Sequence, residues 1–185
     1  MPAQQFPQSA LPTAHVGIGD CCLSLKPVLF ATVLGSCVSV TFFHPGRRAG
    51  GMFHAMLPQQ ALARSRPRPC MFADSAVACM LERFRAHGMR AGDLQVKLFG
   101  GGNTMLNEHP EAMREMLDVG RKNVDNARAA LTTHGLSPMT EDVLGAKGRK
   151  LFFSTLTGEV WLRYLSDELS RAVAAREFPK ERRLL

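Results

Sequence analysis

The sequence predicts an α/β or α+β protein with a mixed, largely antiparallel sheet and flanking helices. Three observations support this prediction. Segments rich in β-branched and aromatic residues alternate with turns that contain glycine and proline, two segments carry apolar residues at helical spacing, and one late segment has the form of a β-hairpin. Because hairpins and helices are interleaved along the chain, most neighbouring strands should run antiparallel.

The first half of the chain is predicted to be mostly strand. Residues 16–25 have strand-like apolar content that glycines interrupt, and the apolar run 27–43 is too long for one strand. We divide that run at Gly35-Ser36, which gives strands near 29–33 and 37–43. The sequence HPGRRAGG then predicts a turn, and GMFHAMLP predicts a returning strand.

The second half contains the helices and a hairpin. Asp74 is the expected N-cap of an amphipathic helix over SAVACMLERFRAHG, and RKNVDNARAALTTHG predicts a second helix. Between them, DLQVKLFGGG predicts a strand that runs into a glycine loop. Residues 107–120 are helical by composition but lack clear caps. RKLFFSTLTGEVWLRYL predicts a hairpin about Thr157-Gly158, and a final polar helix is expected to begin near Asp167.

The 185 residues are predicted to form one domain over 16–170, with a disordered leader at 1–15 and a C-terminal tail at 171–185 that is helical and then frayed. A hydrophobic content of 45% and a charged content of 21% are typical of a globular protein. The leader lacks the basic start and apolar core of a secretory signal, and no apolar run is long enough to cross a bilayer. We therefore expect a cytoplasmic protein without membrane insertion.

The formal net charge of +7 indicates a basic surface that favours acidic partners. Part of this charge lies in ARSRPRPC, where Arg64, Arg66 and Arg68 could guide the protein to an acidic partner; an exposed basic loop is the alternative. Neither a recognition helix nor an interleaved aromatic and basic pattern accompanies it, so no nucleic-acid partner is expected.

The five cysteines do not form a recognisable framework. Their odd number and the lack of a CxxC pair argue against both a disulfide scaffold and a zinc cluster, and the histidines are scattered. We therefore expect no metal site. For each cysteine the first interpretation is a small buried hydrophobic side chain. The positions are Cys21, Cys22, Cys37, Cys70 and Cys79.

Cys37 and His54 lie on either side of the predicted turn. In a simple hairpin they would be directly opposite, with Cβ atoms about 5 Å apart on one face of the sheet. That face is the more polar one, whereas the other face is uniformly apolar and is predicted to be core. A bulge in either strand would remove this relationship. By spacing alone, such a pair is more often structural than catalytic.

The same two residues could also act as a nucleophile and its base. A thiol is mostly protonated at neutral pH, and a neighbouring imidazole can accept its proton. Gly35 permits a tight backbone, so N–H groups around Ser36 and Cys37 could converge on an oxyanion. Thr32 is the nearest hydroxyl that could orient His54.

The glycine loop FGGGNTM contains Gly100 and Gly101 but has neither the lysine nor the spacing of a P-loop. Two interpretations remain for it. The loop could be a turn that requires positive φ, or it could serve close approach of a substrate backbone or support the floor of an active site.

The segments LGSCVSV and GGMFHAMLP closely resemble the CheD family, the chemoreceptor glutamine deamidases of bacterial chemotaxis. The resemblance continues through FADSAV, KLFGGGNTM, GRKNV, EDVLGAKGRKLFF and TGEV, and covers roughly residues 16–165. It implies a layered α-β sandwich similar to the deamidase domain of cytotoxic necrotizing factor toxins. It also implies hydrolysis of glutamine side chains on methyl-accepting chemotaxis receptors, without metal or organic cofactor.

On matching positions, the resemblance gives Cys37 as nucleophile, His54 as base and Thr32 as the third catalytic residue. Substrate-binding and oxyanion roles are expected for Gly35, Ser36, Gly100 and Gly101. A CheC-type phosphatase is a further expected partner. The alternative is a non-enzymatic adaptor that binds receptors or such a phosphatase, although an adaptor would not need to keep Cys37 and His54.

Overall fold

The computed structural model describes residues 10–57, 69–103 and 118–177, with side chains described to residue 173. Within these ranges the chain forms two sheets and three α-helices. The helices are α1 (Ala73–Ala86), α2 (Val119–Thr133) and α3 (Asp167–Glu177). No helix of the described residues is long and apolar enough to cross a membrane. The strands are β1 (Thr13–His15), β2 (Cys21–Ser24), β3 (Leu29–Leu34), β4 (Val38–His44), β5 (Ala49–Phe53), β6 (Gln95–Gly100), β7 (Thr140–Val143), β8 (Arg149–Ser154) and β9 (Val160–Tyr164).

Both sheets are largely antiparallel, as predicted, but the strands divide between two sheets rather than one. The four-stranded sheet has the order β1-β3-β8-β9, and the five-stranded sheet has the order β2-β5-β4-β6-β7. Each contains a single parallel pair, β1 with β3 and β6 with β7. The mixed α/β class is therefore confirmed, whereas the likeness to the toxin deamidase domain stays a prediction.

The two sheets and the helices form layers around two apolar cores. One core combines side chains of both sheets, among them Phe30, Phe99 and Phe153, and the other joins the five-stranded sheet to α1 and α2. Adjacent glycines of β5 face the two cores in turn. A Cβ at Gly50 would lie 2.9 Å from the Phe153 ring, and a Cβ at Gly51 would lie 2.4 Å from a sulfur atom of α1. The Gly-Gly pair therefore allows both layers to approach β5.

The division of the long apolar run at Gly35-Ser36 is confirmed, since β3 ends at Leu34 and β4 begins at Val38. The late hairpin and the helix at Asp167 are confirmed as well. Helix α1, however, is capped by Phe72 rather than Asp74. The reason is a parallel bridge between Leu57 and Phe72, which keeps Phe72 extended up to the first helical residue.

Two short strands were not predicted from the sequence. β7 is polar and pairs only with β6, so it has no amphipathic pattern of its own. β1 occupies the last three residues of the predicted leader, where it pairs with β3. Of the segment 107–120, residues 107–117 lie outside the described residues, as do residues 1–9 of the leader and residues 178–185 of the tail.

Candidate active site

Cys37 belongs to a short loop, residues 35–37, by which the chain crosses from the four-stranded to the five-stranded sheet. Its residue exposure is 0%, and it packs in the core between the two sheets. The loop lies where two strands of different sheets meet, because β3 ends immediately before it and β4 begins immediately after it. The sequence expectation that this loop is a tight turn is therefore refined to a crossing between layers.

The glycine loop at the end of β6 holds the cysteine loop in place. The Gly101 N–H donates to the Cys37 carbonyl at 2.8 Å, and the Gly102 N–H donates to the Gly35 carbonyl at 2.7 Å. Gly100 has a φ of +114°, and a Cβ there would lie 2.1 Å from the Cys37 carbonyl oxygen. These contacts favour the interpretation that the glycine loop supports the active site, because the Gly101 N–H is hydrogen-bonded to the Cys37 backbone.

Asn123, on α2, also holds the site in place, and this role was not predicted from the sequence. Its Nδ2 donates at 3.0 Å to the carbonyls of both Ser36 and Met56. A fully buried amide therefore joins the segment before the cysteine to the segment after the histidine. The available signal was an asparagine next to Val124 on the apolar face of an amphipathic helix, within the GRKNV motif.

His54 and Thr32 are in direct contact, as predicted. The Thr32 Oγ1 lies 2.9 Å from the His54 Nδ1 and also donates to the Val16 carbonyl at 2.7 Å. Both residues are only 4% exposed. Thr32 lies in β3 of one sheet and His54 follows β5 of the other, so this contact joins the two sheets at the candidate site.

These two contacts determine the tautomer of the neutral His54 side chain. A threonine hydroxyl has a single proton, and the Val16 carbonyl can only accept a hydrogen bond. Thr32 therefore donates to Val16 and accepts from the His54 Nδ1–H. The neutral imidazole then carries its proton on Nδ1, which makes Nε2 the nitrogen that can accept a proton.

The backbone of His54 is held on both sides by the chain that leads into β2. The His54 N–H donates to the Asp20 carbonyl at 3.0 Å, and the Gly19 N–H donates to the His54 carbonyl at 2.8 Å. The next residue, Ala55, forms an antiparallel bridge with Val38. The imidazole thus projects from a backbone segment that is fixed by main-chain hydrogen bonds on two neighbouring strands.

The predicted register between Cys37 and His54 is wrong by two residues. Because Val38 is opposite Ala55, Cys37 is opposite Met56, and His54 occupies a diagonal position. A shift of two residues leaves every side chain on its predicted face. The pair therefore shares one face of the sheet, at a diagonal spacing of about 7–8 Å between backbone positions, within reach of a long side chain.

The turn explains the shift. Residues Pro45–Arg47 form a single 3-10 turn, and Arg48 follows with a φ of 46° in the left-handed region. This turn places His44 opposite Ala49. The centre of the hairpin is therefore one residue later than the sequence suggested, which moves the register by two.

Both faces of the β4–β5 hairpin are buried. The predicted apolar face packs against α1 and α2, which confirms that expectation. The more polar face is covered by the second sheet, so that Ser39 and Thr41 are 0% and 1% exposed. Cys37 and His54 consequently lie between two sheets.

A cleft of about 520 Å³ lies against the four-stranded sheet and is lined by residues of all four of its strands and of α3. Thr32 and His54 line it, together with the basic side chains of Lys150 and Arg163, but Cys37 does not. The described structure thus brings the imidazole to an open cleft while the thiol remains enclosed behind it.

Metal-binding side chains cluster in one place within the described ranges. The Sγ atoms of Cys21, Cys70 and Cys79 all lie within 4.8 Å of one another. No such cluster was expected from the sequence, because the three cysteines have no ligand-like spacing along the chain. They lie on β2, on a 3-10 turn at Pro69–Met71 and on α1.

A cysteine and a histidine with a hydroxyl-bound Nδ1, on one face of a layered α/β scaffold, is an arrangement suited to nucleophilic acyl transfer. A family model described as CheD chemotactic sensory transduction matches residues 56–164. The chain belongs to the CheD family.

Relatives of known name cover most of both chains. A probable chemoreceptor glutamine deamidase CheD of Nitratidesulfovibrio vulgaris is 51% identical over 82% of this chain and 76% of the relative. Its counterpart in Oleidesulfovibrio alaskensis is 43% identical over 90% of this chain and 79% of the relative. A probable chemoreceptor glutamine deamidase CheD 2 of Geobacter sulfurreducens is 43% identical over 84% and 92%.

Among solved structures, a hypothetical protein YfiH of Bacillus licheniformis superposes with a TM-score of 0.46 at 15% identity. The superposition covers 69% of this chain and 51% of the other. A similarity of this strength supports no conclusion about fold or function.

Proposed function

We propose that this chain is a cysteine-dependent deamidase that hydrolyses glutamine side chains on methyl-accepting chemotaxis receptors. The observation that carries the proposal is the contact between Thr32 and the Nδ1 of His54, on the sheet face that also holds Cys37. This contact leaves the proton-accepting nitrogen in the form that a general base needs. Membership of the CheD family, and relatives named as glutamine deamidases, supply the substrate class.

In the first half of the reaction, the Cys37 thiol transfers its proton to the Nε2 of His54 as Sγ attacks the carbonyl carbon of the glutamine side chain. The tetrahedral intermediate collapses when the carbon–nitrogen bond breaks. The Nε2 proton moves to the departing nitrogen, so that ammonia leaves and a thioester joins Cys37 to the receptor. Throughout, Thr32 accepts the Nδ1–H of His54 and holds the ring in one orientation.

In the second half, neutral His54 takes a proton from water through Nε2, and the resulting hydroxide attacks the thioester carbonyl. The carbon–sulfur bond breaks and the proton passes from Nε2 to the Cys37 sulfur. The receptor then carries a glutamate, and the enzyme returns to its starting state. One water molecule is consumed for each ammonia released.

The surrounding loops have separate parts in this proposal. Backbone N–H groups at Gly35 and Ser36 are proposed to stabilise the oxyanion, a contribution that is typically worth about 100- to 1000-fold in rate. Gly100 and Gly101 are proposed to support the cysteine loop, since their backbone contacts Cys37 directly.

The substrate glutamine is proposed to enter by the cleft that Thr32 and His54 line. Lys150 and Arg163 give this cleft positive charge, which suits an acidic segment of the receptor. Because Cys37 is enclosed, its neighbours have to move before the thiol can reach the amide. The basic segment Arg64–Arg68, which the sequence analysis related to partner binding, lies outside the described residues.

The proposal is tested by incubating a purified receptor cytoplasmic fragment with the protein and locating glutamine-to-glutamate changes by mass spectrometry. Wild type should convert specific glutamines, and Cys37→Ala should convert none. Cys22→Ala is the matched control, because Cys22 is a half-buried cysteine outside the site. Equal conversion by wild type and Cys37→Ala would refute the role of the thiol, and no conversion by wild type on any receptor would favour the adaptor alternative.

A CheC-type phosphatase is proposed as a second partner, and the cytoplasm as the compartment of action, both supported by family membership alone. Co-purification with the phosphatase from a mixture of the two pure proteins would test the first. A single complex peak in size-exclusion chromatography is expected, and two separate peaks at micromolar concentrations would argue against a stable complex.

A further inference from the structure

Three cysteines that the proposed reaction does not use lie together on the side of the five-stranded sheet that carries α1. Cys21 and Cys70 are 8% and 6% exposed, Cys79 is half-buried, and none is disulfide-bonded. Their Sγ atoms all lie within 4.8 Å of one another. A cavity of about 390 Å³ opens beside them, lined also by Asp20, Cys22 and Arg83.

The backbone around the cluster is fixed by contacts that do not involve the thiols. Cys21 is paired with Phe53 in the sheet. The Met71 carbonyl accepts from the N–H groups of Met56 and Leu57 at 3.0 and 2.9 Å, which holds the turn that contains Cys70. The three sulfur atoms are therefore brought together by the fold before any ligand binds.

We propose that Cys21, Cys70 and Cys79 form a binding site for a thiophilic metal cation such as Zn²⁺. A tetrahedral ion with metal–sulfur distances of about 2.3 Å holds its sulfur ligands about 3.8 Å apart. The observed separations, at most 4.8 Å, exceed that value by no more than about 1 Å. The adjoining cavity leaves room for a fourth ligand, as a site with three protein ligands requires.

The three thiols interact with one another, since Cys70 is hydrogen-bonded to both Cys21 and Cys79. Hydrogen bonds from Cys21 and Cys79, with the nearby Arg83 guanidinium, lower the pKa of Cys70 to about 6 against the opposing effect of burial. The hydrogen bond to Cys70 and burial raise the pKa of Cys21. Metal binding displaces the thiol protons, because the thiolate is the form of cysteine that binds metal.

Arg83 has a second role in the site. Three thiolates and one divalent cation carry a net charge of −1, and a guanidinium beside them balances it. Arg83 lines the cavity, and its Nη1 donates to the Cys21 carbonyl at 2.6 Å, which keeps its positive charge beside the cluster. A disulfide would use two of the three sulfur atoms and would require an oxidant, whereas a metal uses all three.

The test is a Zn²⁺ titration by isothermal calorimetry of chelator-treated protein in reducing buffer. All samples carry Cys37→Ala, so that the proposed nucleophile cannot contribute a ligand. We expect one Zn²⁺ per chain. Cys70→Ser and Cys79→Ser should each weaken binding more than about 100-fold, since even residues that only orient a ligand are worth about 10- to 100-fold. The control is Ser75→Ala, a half-buried residue of α1 that does not line the cavity, and it should bind as the parent does.

Titration with Co²⁺ identifies the ligands directly, because thiolate ligation gives a charge-transfer absorption band that serine cannot supply. The band should appear in the parent and in Ser75→Ala, and should be reduced in Cys79→Ser, because Cys79 is the least buried of the three cysteines and the most tolerant of substitution. Thermal unfolding of each variant shows whether it is folded, and bound Zn²⁺ should raise the midpoint of the parent.

Three results would overturn the proposal. They are the absence of Zn²⁺ binding by the folded parent, equal affinity in the parent and in both cluster variants, and a disulfide within the cluster in freshly purified protein combined with no Zn²⁺ binding after reduction. The last result would identify the cluster as a redox pair. None of these results depends on deamidase activity, so the proposed function is tested separately.

Discussion

Replacing Thr32 by valine removes one oxygen atom while keeping the shape of the side chain. The hydroxyl accepts from the His54 Nδ1–H at 2.9 Å and donates to the Val16 carbonyl at 2.7 Å, in a site where Thr32 is 4% exposed. During the proposed reaction His54 becomes an imidazolium, so its bond to Thr32 strengthens. A hydrogen bond to a charged group is worth about 1.5–3 kcal/mol. Losing it should reduce kcat about 10- to 150-fold.

The same substitution should also reduce stability. Valine leaves both the Val16 carbonyl and the His54 Nδ1–H buried without this partner, and such a loss costs about 1–3 kcal/mol for each group. Chemical unfolding in urea would measure that cost. Thr32 orients the base, and most of the surface that binds the receptor lies elsewhere. We therefore expect KM to change less than kcat.

The assay is a time course of receptor-fragment deamidation, followed by mass spectrometry at saturating and limiting receptor. Thr32→Ser is the control, because it keeps the hydroxyl and loses only a methyl group, and it should retain most of the activity. Wild-type kcat in Thr32→Val would refute the orientation argument. Equal losses in the valine and serine variants would show that packing of the methyl group, and not the hydrogen bond, is what matters.

Three further predictions concern the scaffold. Gly101→Ala should destabilise the protein far more than Gly135→Ala, because a Cβ at Gly101 would lie 2.4 Å from a side chain of α2. Gly135 has open space around it, so alanine there would incur only the left-handed backbone strain of about 1–2 kcal/mol. Urea unfolding of both variants measures the difference. Asn123→Ala should cost about 2 kcal/mol or more, since two buried carbonyls lose their donor, and a cost within experimental error would show that water replaces the amide. Iodoacetamide should modify the fully buried Cys37 more slowly than the half-buried Cys22, and addition of the receptor fragment should increase the rate at Cys37. Peptide mapping measures both modification rates. Equal rates at Cys37 and Cys22 without receptor would contradict an enclosed site.

Side-chain parity explains why the sequence predicted the composition of the site although it misplaced the register. Alternation along β4 and β5 depends only on the period of a strand, and an error of two residues preserves it. Cys37 and His54 therefore share a face whether the hairpin centre falls between residues 45 and 46 or between residues 46 and 47. The register is set by the turn, which depends on the left-handed conformation of Arg48. No local sequence pattern predicted that conformation.

The division into two sheets could not be derived from the same pattern. A strand buried on both faces by two different layers has apolar residues on one side and small polar residues on the other, as β4 does with Ser39 and Thr41. That composition also suits a strand with one face in water. The difference lies in the partner layer, which is formed by β3 and β8 and whose contacts with β4 are not encoded locally.

The cysteine cluster shows a related limit. Ligand spacing along a chain is informative only when the ligands belong to one or two local elements, as in zinc fingers. Here the three cysteines come from a strand, a turn and a helix that meet only when α1 packs on β2. Each cysteine alone resembles a buried apolar residue, and only the fold places their sulfur atoms together.

The cysteine loop is held from several directions by partners that are distant in sequence. Gly101 and Gly102 of the β6 end bind the carbonyls of Cys37 and Gly35, and Asn123 of α2 binds the carbonyl of Ser36. None of these bonds contributes a reacting atom, yet together they fix every carbonyl of residues 35–37. A cysteine enclosed between two sheets cannot rearrange much during the reaction. The surrounding backbone therefore has to hold the loop in its reactive conformation before the substrate binds. This requirement explains why the motif that carries the resemblance extends over the glycine loop and α2 as well as the cysteine itself.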